Sequence, residues 1–426
     1  MKTNQSEQNN TNTTVRIVPI GRDQRRFSAM FKPVGSRCNL DCRYCYYLGK
    51  ENRRAQFPPF DDSVLETFIH DYIESIDDRD VNFEWQGGEP TLLGIDYFRR
   101  VLELQKCHCP SHKRVHNSIQ TNGILLDDEW SRFLADSGFL VGLSIDGPRE
   151  LHDHFRVTRG GEPTFDRVLE AVSRLVRDGV EFSTLTVVNS VTSLQPLEVY
   201  RFITREVGPR MLQFIPCVEL RDFRNTAPWY WRLDPVPASA PELLPGAEQS
   251  LLTDWSVSAD AYGAFLCAIF DEWHEHDIGR HYVNTFESAV ASWAGLPPQI
   301  CVFNAFCGKS VIVEQDGDVY SCDHFAFPEY RLGNITRSNL GDLVFSKRQV
   351  TFGYGKLDLL PGQCRKCRYL KACYGECPKK RFLHTPDGEP GLNYLCEGLH
   401  HFFRHADQRL QRLAIGITGH TIFEGE

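Results

Sequence analysis

No apolar run in this chain approaches the length of a membrane-spanning helix, which excludes a helical membrane protein. An export signal is missing too: residues 1–26 are polar and rich in Asn and Thr, and are expected to form a disordered leader. Without export the usual setting for a disulfide framework disappears, and the expected compartment is the cytoplasm. Basic charge is in deficit. Lys and Arg total 47 against 56 Asp and Glu, a net charge of −9, and no long basic run stands out, which excludes a nucleic-acid footprint. What remains is an ordinary globular composition, 41% hydrophobic and 24% charged over 426 residues, enough for two or three domains. Into it are set 15 cysteines, eight of them from Cys301 to Cys396. In a reducing compartment such clustering points to metal ligation rather than to crosslinks.

The most informative stretch is Cys38-Asn39-Leu40-Asp41-Cys42-Arg43-Tyr44-Cys45-Tyr46-Tyr47. Four thiolates saturate a [4Fe–4S] cluster, so three on one tight loop leave one iron open for small-molecule chemistry. A zinc knuckle short of its fourth ligand, or three chance cysteines, are the plainer alternatives. Towards the other end stand Cys364-x2-Cys367-x5-Cys373-x3-Cys377 and, outside that run, Cys301, Cys307, Cys322 and Cys396. Eight thiolates complete two clusters without an open iron, suited to carrying electrons, or else two zinc sites. Between them, 311–314 and 319–321 flank Gly317 and read as a small hairpin. Cys107, His108, Cys109, His112 and His116 lack zinc-finger spacing and read as structural. Cys217 and Cys267 read as buried thiols, and His400-His401 as a solvated helical face.

From Phe27 to Pro216, short apolar runs alternate with amphipathic ones. Strands are expected at 28–34, 81–85, 115–120, 140–145, 182–188 and 211–215, with helices at 62–76, 97–106, 127–137, 164–178 and 197–206. That alternation implies an α/β fold with six parallel strands in an open, partial barrel, a (β/α)6 relative of the TIM barrel. Ligands in such folds sit beyond the carboxyl ends of the strands. The candidate motifs fall there: Gly87-Gly88-Glu89-Pro90, Gln120-Thr121-Asn122-Gly123 and Ser144-Ile145-Asp146-Gly147-Pro148. Gly87 and Gly88 allow close backbone approach to a ligand, Glu89 suits a cationic amine, and Arg156 suits a carboxylate. The expected organisation is a barrel over 27–258 with a Pro- and Trp-rich surface insertion at 219–258 that forms part of a substrate rim. A helical connector at 259–300, with its helix at 259–276, a cysteine domain at 301–410 and a tail at 411–426 follow.

Together these features resemble the radical S-adenosylmethionine (SAM) superfamily with a SPASM domain, and more narrowly the anaerobic sulfatase-maturating enzymes. The residues that carry the resemblance, within 27–410, are Gln86-Gly87-Gly88-Glu89-Pro90-Thr91-Leu92, Ser118-Ile119-Gln120-Thr121-Asn122-Gly123 and Gly142-Leu143-Ser144-Ile145-Asp146-Gly147-Pro148, then Leu212-Gln213-Phe214-Ile215-Pro216-Cys217, Tyr320-Ser321-Cys322-Asp323-His324-Phe325 and Arg331-Leu332-Gly333-Asn334-Ile335. The resemblance implies SAM and three [4Fe–4S] clusters. Cys38, Cys42 and Cys45 would hold the SAM-binding cluster, with Tyr44, Gly87, Gly88, Glu89, Ser144, Arg156 and Val218 around SAM. Cys301, Cys307, Cys322 and Cys377 would hold one auxiliary cluster, and Cys364, Cys367, Cys373 and Cys396 the other. Gln86 and Tyr47 would face the peptide, and Asp323 would be the catalytic base.

The implied reaction is abstraction of hydrogen from Cβ of a sulfatase Cys or Ser by a 5′-deoxyadenosyl radical, giving formylglycine. Asp323 takes the thiol or hydroxyl proton, and the second electron leaves through the auxiliary clusters. The implied partners are a sulfatase polypeptide and a low-potential donor such as flavodoxin or ferredoxin. Two other readings remain open here: a peptide maturase forming thioether or carbon–carbon crosslinks, and a redox relay without catalysis. The absence of a recognisable leader-binding domain before Phe27 weighs against the first. The Gly87-Gly88-Glu89-Pro90 motif weighs against the second.

Overall fold

The computed structural model describes residues 26–48, 62–224, 227–228 and 240–423. The expected leader lies outside the described residues up to position 25, as does part of the 219–258 insertion. Six strands run in chain order: β1 (Ser28–Lys32), β2 (Asp80–Trp85), β3 (Arg114–Thr121), β4 (Leu140–Ser144), β5 (Phe182–Val188) and β6 (Met211–Pro216). Each pairs in parallel with the next, and the sheet stays open between β6 and β1. The covering helices are α1 (Asp62–Ser75), α2 (Gly94–His108), α3 (Asp128–Asp136), α4 (Phe165–Arg177) and α5 (Pro196–Phe202).

Local sequence explains these elements. In β5 alternate residues are buried, as a strand with one fully packed face and one partly open face requires. In α4, Phe165, Val168, Ala171, Val172 and Leu175 repeat at helical spacing and face the sheet. Asp127 caps α3, its Oδ1 accepting from the N–H groups of Glu129 at 3.0 Å and Trp130 at 2.9 Å. The helix expected over 197–206 is regular only to Phe202; a π turn at Ile203–Val207 follows and Gly208 ends it.

Both edges of the sheet are extended. The short β7 (Tyr282–Val283) pairs with β6. β8 (Ser310–Glu314) pairs in parallel with β1 from Ser28↔Ser310 to Lys32↔Glu314, and β9 (Asp318–Tyr320) and β10 (Arg331–Asn334) continue outward in antiparallel order. The cysteine-rich half is therefore joined to the barrel through one continuous sheet. This brings Cys322 and Asp323, just past β9, to the carboxyl end of β1. A helix at Ala259–His276 packs along the final helix, Cys396–Thr418, through Phe270 and Phe402 (ring centroids 5.7 Å apart). None of the described helices is long and apolar enough to cross a membrane.

Candidate active site

The loop after β1 carries Cys38, Cys42 and Cys45 and lies against the end of β2. The Gly88 N–H donates to Gly35 O at 2.8 Å, and the Glu89 N–H donates to Arg37 O at 2.9 Å. A Cβ on Gly88 would stand 1.9 Å from Arg37 O, and Gly87 holds φ at +139°. The glycine pair is thus required first to seat the cysteine loop. Glu89 departs from its expected role. It is 0% exposed, and its carboxylate accepts from Thr91 Oγ1 (2.6 Å), Thr121 Oγ1 (2.8 Å) and the N–H groups of Thr91 (3.1 Å) and Asn122 (2.7 Å). With no surface turned to a ligand, it ties the ends of β2 and β3 together rather than holding an amine. Asn122, which the sequence reading placed in a motif without a role, reaches the Cys38 sulfur at 3.7 Å and Asn39 Oδ1 at 2.8 Å.

Arg156 also has a partner inside the fold. Its Nε and Nη2 donate to the two oxygens of Asp146 at 2.9 and 3.2 Å, and Tyr44 donates to the same carboxylate at 2.5 Å. The fork expected to clamp a ligand carboxylate is spent on Asp146, behind the Tyr44 ring. Ser144 Oγ accepts from Gln120 Nε2 at 3.1 Å, and the Gln86 N–H donates to Phe31 O at 3.0 Å.

Below Arg156 lies His152, fully buried. Its Nδ1 accepts from the Asp146 N–H at 3.4 Å and its Nε2 lies 3.1 Å from Thr164 Oγ1, whose hydroxyl donates to Arg156 O. These bonds suit the neutral ring. Burial, aided by the Arg156 charge, pushes His152 down to about 3. The unfolded chain, titrating near 6.5, binds a proton that the folded chain refuses as pH falls from 6.5 towards 3. Stability is therefore full above pH 6.5 and declines through that window by about 1.4 kcal/mol per pH unit. In urea melts at pH 7.5 and 5.5, the native chain should lose about 1.4 kcal/mol more than His152→Gln; equal losses would remove His152 as the cause.

The second focus is Asp323. Lys32 Nζ lies 2.5 Å from its Oδ1, and the Tyr46 hydroxyl donates to its Oδ2. Lys32 is 2% exposed and stands 4.1 Å over the Tyr47 ring, whose hydroxyl donates to Glu314 Oε1 at 2.6 Å. Tyr47, expected to face a peptide, is buried and supports this ion pair instead. Its neighbour Tyr46 lines a cleft with Val218, Glu219, Phe223, His324 and Lys379. Burial raises Glu84, and the negative charge of Asp323 adds to the effect. Lys379 pairs with Glu219 and lies 4.7 Å from the Tyr46 ring centroid. The start of the 219–258 insertion, with Glu219, Asp222 and Phe223, therefore forms one wall of the cleft. Lys32 had one visible signal, a cation closing the strand SAMFK. Tyr46 and Tyr47 are adjacent aromatics that sequence cannot rank.

Eleven of the 15 thiols fall into three sets, and all 15 cysteines are free of disulfides. Burial pushes Cys42, Cys322 and Cys396 up, and each also feels neighbouring thiols. Cys42 feels Cys45 and Cys38, Cys322 feels Cys301, Cys377 and Cys307, and Cys396 feels Cys373, Cys364 and Cys367. The last four line a cavity of ≈ 480 Å³. His400 and His401 are exposed and also border it. Among the described residues, His70, Asp71 and Glu74 are the only three ligating groups mutually within 4.8 Å. No three of the described thiols come mutually within that distance, whereas thiolates around one zinc, bound at about 2.3 Å, would sit roughly 4 Å apart. Buried thiols of this kind surrender their protons to a strongly binding metal, and their spacing fits an extended cluster better than a single ion. His108 and His116 turn separately to Glu66 and Asp80, at 3.1 and 2.9 Å.

Residues 33–203 match the Radical SAM superfamily, and residues 303–368 match an iron-sulfur cluster-binding domain. Over 382 residues, 88% of each chain, the sequence is 43% identical to the serine-type anaerobic sulfatase-maturating enzyme of Bacteroides thetaiotaomicron. It is 32% identical to the cysteine-type anaerobic sulfatase-maturating enzyme of Clostridium perfringens, across 92% of this chain and 99% of that relative. The solved structure of native anSMEcpe with bound AdoMet matches the fold with a TM-score of 0.77 at 32% identity, covering 91% of this chain and 99% of the other. At this identity and coverage, the chain belongs to the anaerobic sulfatase-maturating enzymes of the radical SAM superfamily.

Proposed function

We propose that this protein oxidises a Ser or Cys side chain of a sulfatase polypeptide to Cα-formylglycine, using SAM and three [4Fe–4S] clusters. The observation that carries the reading is Asp323, adjacent to the thiol of Cys322, ion-paired to buried Lys32 and set under Tyr46 beside the cleft. Solved relatives bind AdoMet, and one also binds the Cp18Cys peptide.

Cys38, Cys42 and Cys45 would hold the cluster that binds SAM, with the backbone of Gly87 and Gly88, Tyr44, Ser144 and Val218 around the cofactor. When bound, these groups supply a carbon radical able to take hydrogen from the substrate Cβ. The chain supplies the rest. The cleft orients the target side chain, and Asp323 accepts the hydroxyl or thiol proton while Lys32 and Tyr46 hold its carboxylate in place. Cys322, one residue away, would ligate the first of two auxiliary clusters, so the electron released with that proton has a short path. A cytoplasmic setting and a donor of the flavodoxin or ferredoxin class complete the proposal.

The test is anaerobic incubation of the reconstituted chain with SAM, a reductant, and two sulfatase-type peptides bearing Ser or Cys at the target position. Mass spectrometry should find formylglycine in at least one of them. Release of 5′-deoxyadenosine with both peptides unchanged would leave the radical chemistry standing and overturn the substrate assignment.

A further inference from the structure

Between the two C-terminal thiol sets lies a group of buried charges that the chemistry above does not use. Lys356 is 0% exposed, and its Nζ donates to Cys301 O at 2.9 Å and Val302 O at 2.8 Å. Arg381, also buried, donates to Lys356 O at 2.6 Å, and clamps the loop between Cys373 and Cys377 through Gly375 O (2.8 Å), Tyr374 O (2.5 Å) and Glu376 O (3.3 Å). In that loop Tyr374, Gly375 and Glu376 all have positive φ, at 45°, 67° and 51°. Such a run is held only where its surroundings demand it. Lys380 pairs with Glu376 at 2.7 Å, and Glu376 also accepts from the Cys377 N–H at 2.5 Å and from Asn393 at 2.9 Å. Three buried cations therefore share one directly paired anion, Glu376, while Glu219, already paired with Lys379, reaches Lys380 only through space. Burying such an excess is costly unless something negative shares the space.

We propose that Lys356, with Arg381 and Lys380, forms a positive bracket that raises the reduction potential of the auxiliary cluster held by Cys301, Cys307, Cys322 and Cys377. The inference rests on the three-cluster reading above. A thiolate-ligated cluster gains one negative charge per electron, and a buried cation beside it favours the reduced form. Lys356 holds the backbone at Cys301 in one set, and Arg381 holds the loop that joins Cys373 of the other set to Cys377, so the bracket lies between the two sets. Its function is to make the auxiliary site a ready acceptor for the electron released beside Asp323. A purely structural Lys356 would merely satisfy the carbonyls of Cys301 and Val302.

The experiment is an EPR-monitored potentiometric titration of the reconstituted full chain, with iron content measured in parallel. Lys356→Met should shift one auxiliary midpoint negative by a tenfold change in its reduction equilibrium, about 59 mV for one electron. The cluster on the Cys38 loop should stay in place, and Lys356→Arg should restore the native value. Glu376→Gln removes the anion and should shift the same midpoint in the positive direction. An unmoved midpoint in iron-replete Lys356→Met overturns the inference. If that variant loses iron, the absence of a positive shift in Glu376→Gln does so instead. A native chain that binds iron for one cluster alone overturns the three-cluster reading, and this inference with it.

Discussion

Asp323→Asn is expected to lower formylglycine production by about 10²–10⁴-fold, the range of a positioned general base, while iron content stays at the native level. Asn preserves the size of the side chain and can still accept from Tyr46, so the cleft keeps its shape. It cannot take a proton from the substrate. The release of 5′-deoxyadenosine should persist, because the groups around Cys38, Cys42 and Cys45 are untouched, and the ratio of 5′-deoxyadenosine to product should rise. The substitution also removes the counter-charge of Lys32, which is 2% exposed. Glu314 stands beside Lys32 in the β1–β8 register and Glu84 is influenced by its charge, so the cation is not abandoned. A stability loss of about 1–3 kcal/mol is expected, small enough to leave a folded protein for assay. Unchanged turnover in the folded, iron-replete variant would remove Asp323 from the reaction.

Gly88→Ala should have a larger structural effect for its size than any other single methyl group near the cleft. The added carbon would lie 1.9 Å from Arg37 O and 2.4 Å from Arg37 C, both backbone atoms of the segment that leads into Cys38. No flexible side chain can move aside. The backbone must separate, breaking the bonds from Gly88 N–H to Gly35 O and from Glu89 N–H to Arg37 O. The expected cost is about 3 kcal/mol or more, at the upper end for overpacking. The chain should lose the iron associated with the Cys38 loop and with it the formation of 5′-deoxyadenosine, while the auxiliary iron is retained. Gly160→Ala is the control. The nearest atom to its Cβ is 3.7 Å away and its φ is ordinary, so its stability should stay within about 0.5 kcal/mol of native. Full iron content and turnover in Gly88→Ala would show that the loop can be displaced without consequence.

Much of the scaffold was legible because its signals are local. Strands of five to eight residues announce themselves by apolar runs and turn residues, and the six expected strands agree with the observed ones to within two residues at each end. The helix expected at 259–276 occupies Ala259–His276. The Cys38 loop was legible for the same reason: its three ligands sit within eight residues, so spacing alone limits where they can lie. Glu89 misled because a carboxylate after two glycines looks the same whether it faces a ligand or four internal donors. Burial distinguishes the two, and burial depends on the whole fold. Tyr46 and Tyr47 illustrate the same limit at shorter range, since adjacent side chains on a loop have no period to sort them.

The sequence by itself determined the open βα barrel, the motifs at its strand ends and the presence of two cysteine-rich regions, since each depends on residues close together in the chain. Tertiary structure decided how those regions meet. Ser28 and Ser310, hydrogen-bonded at 2.9 Å, are 282 residues apart, and no local pattern says that β8 fills the free edge of β1. That one pairing carries Asp323 to Lys32 and closes the cleft under Tyr46. Edge pairing is won by whichever strand presents matching backbone donors and acceptors and buries its apolar face, and only the assembled fold brings that competition to an outcome.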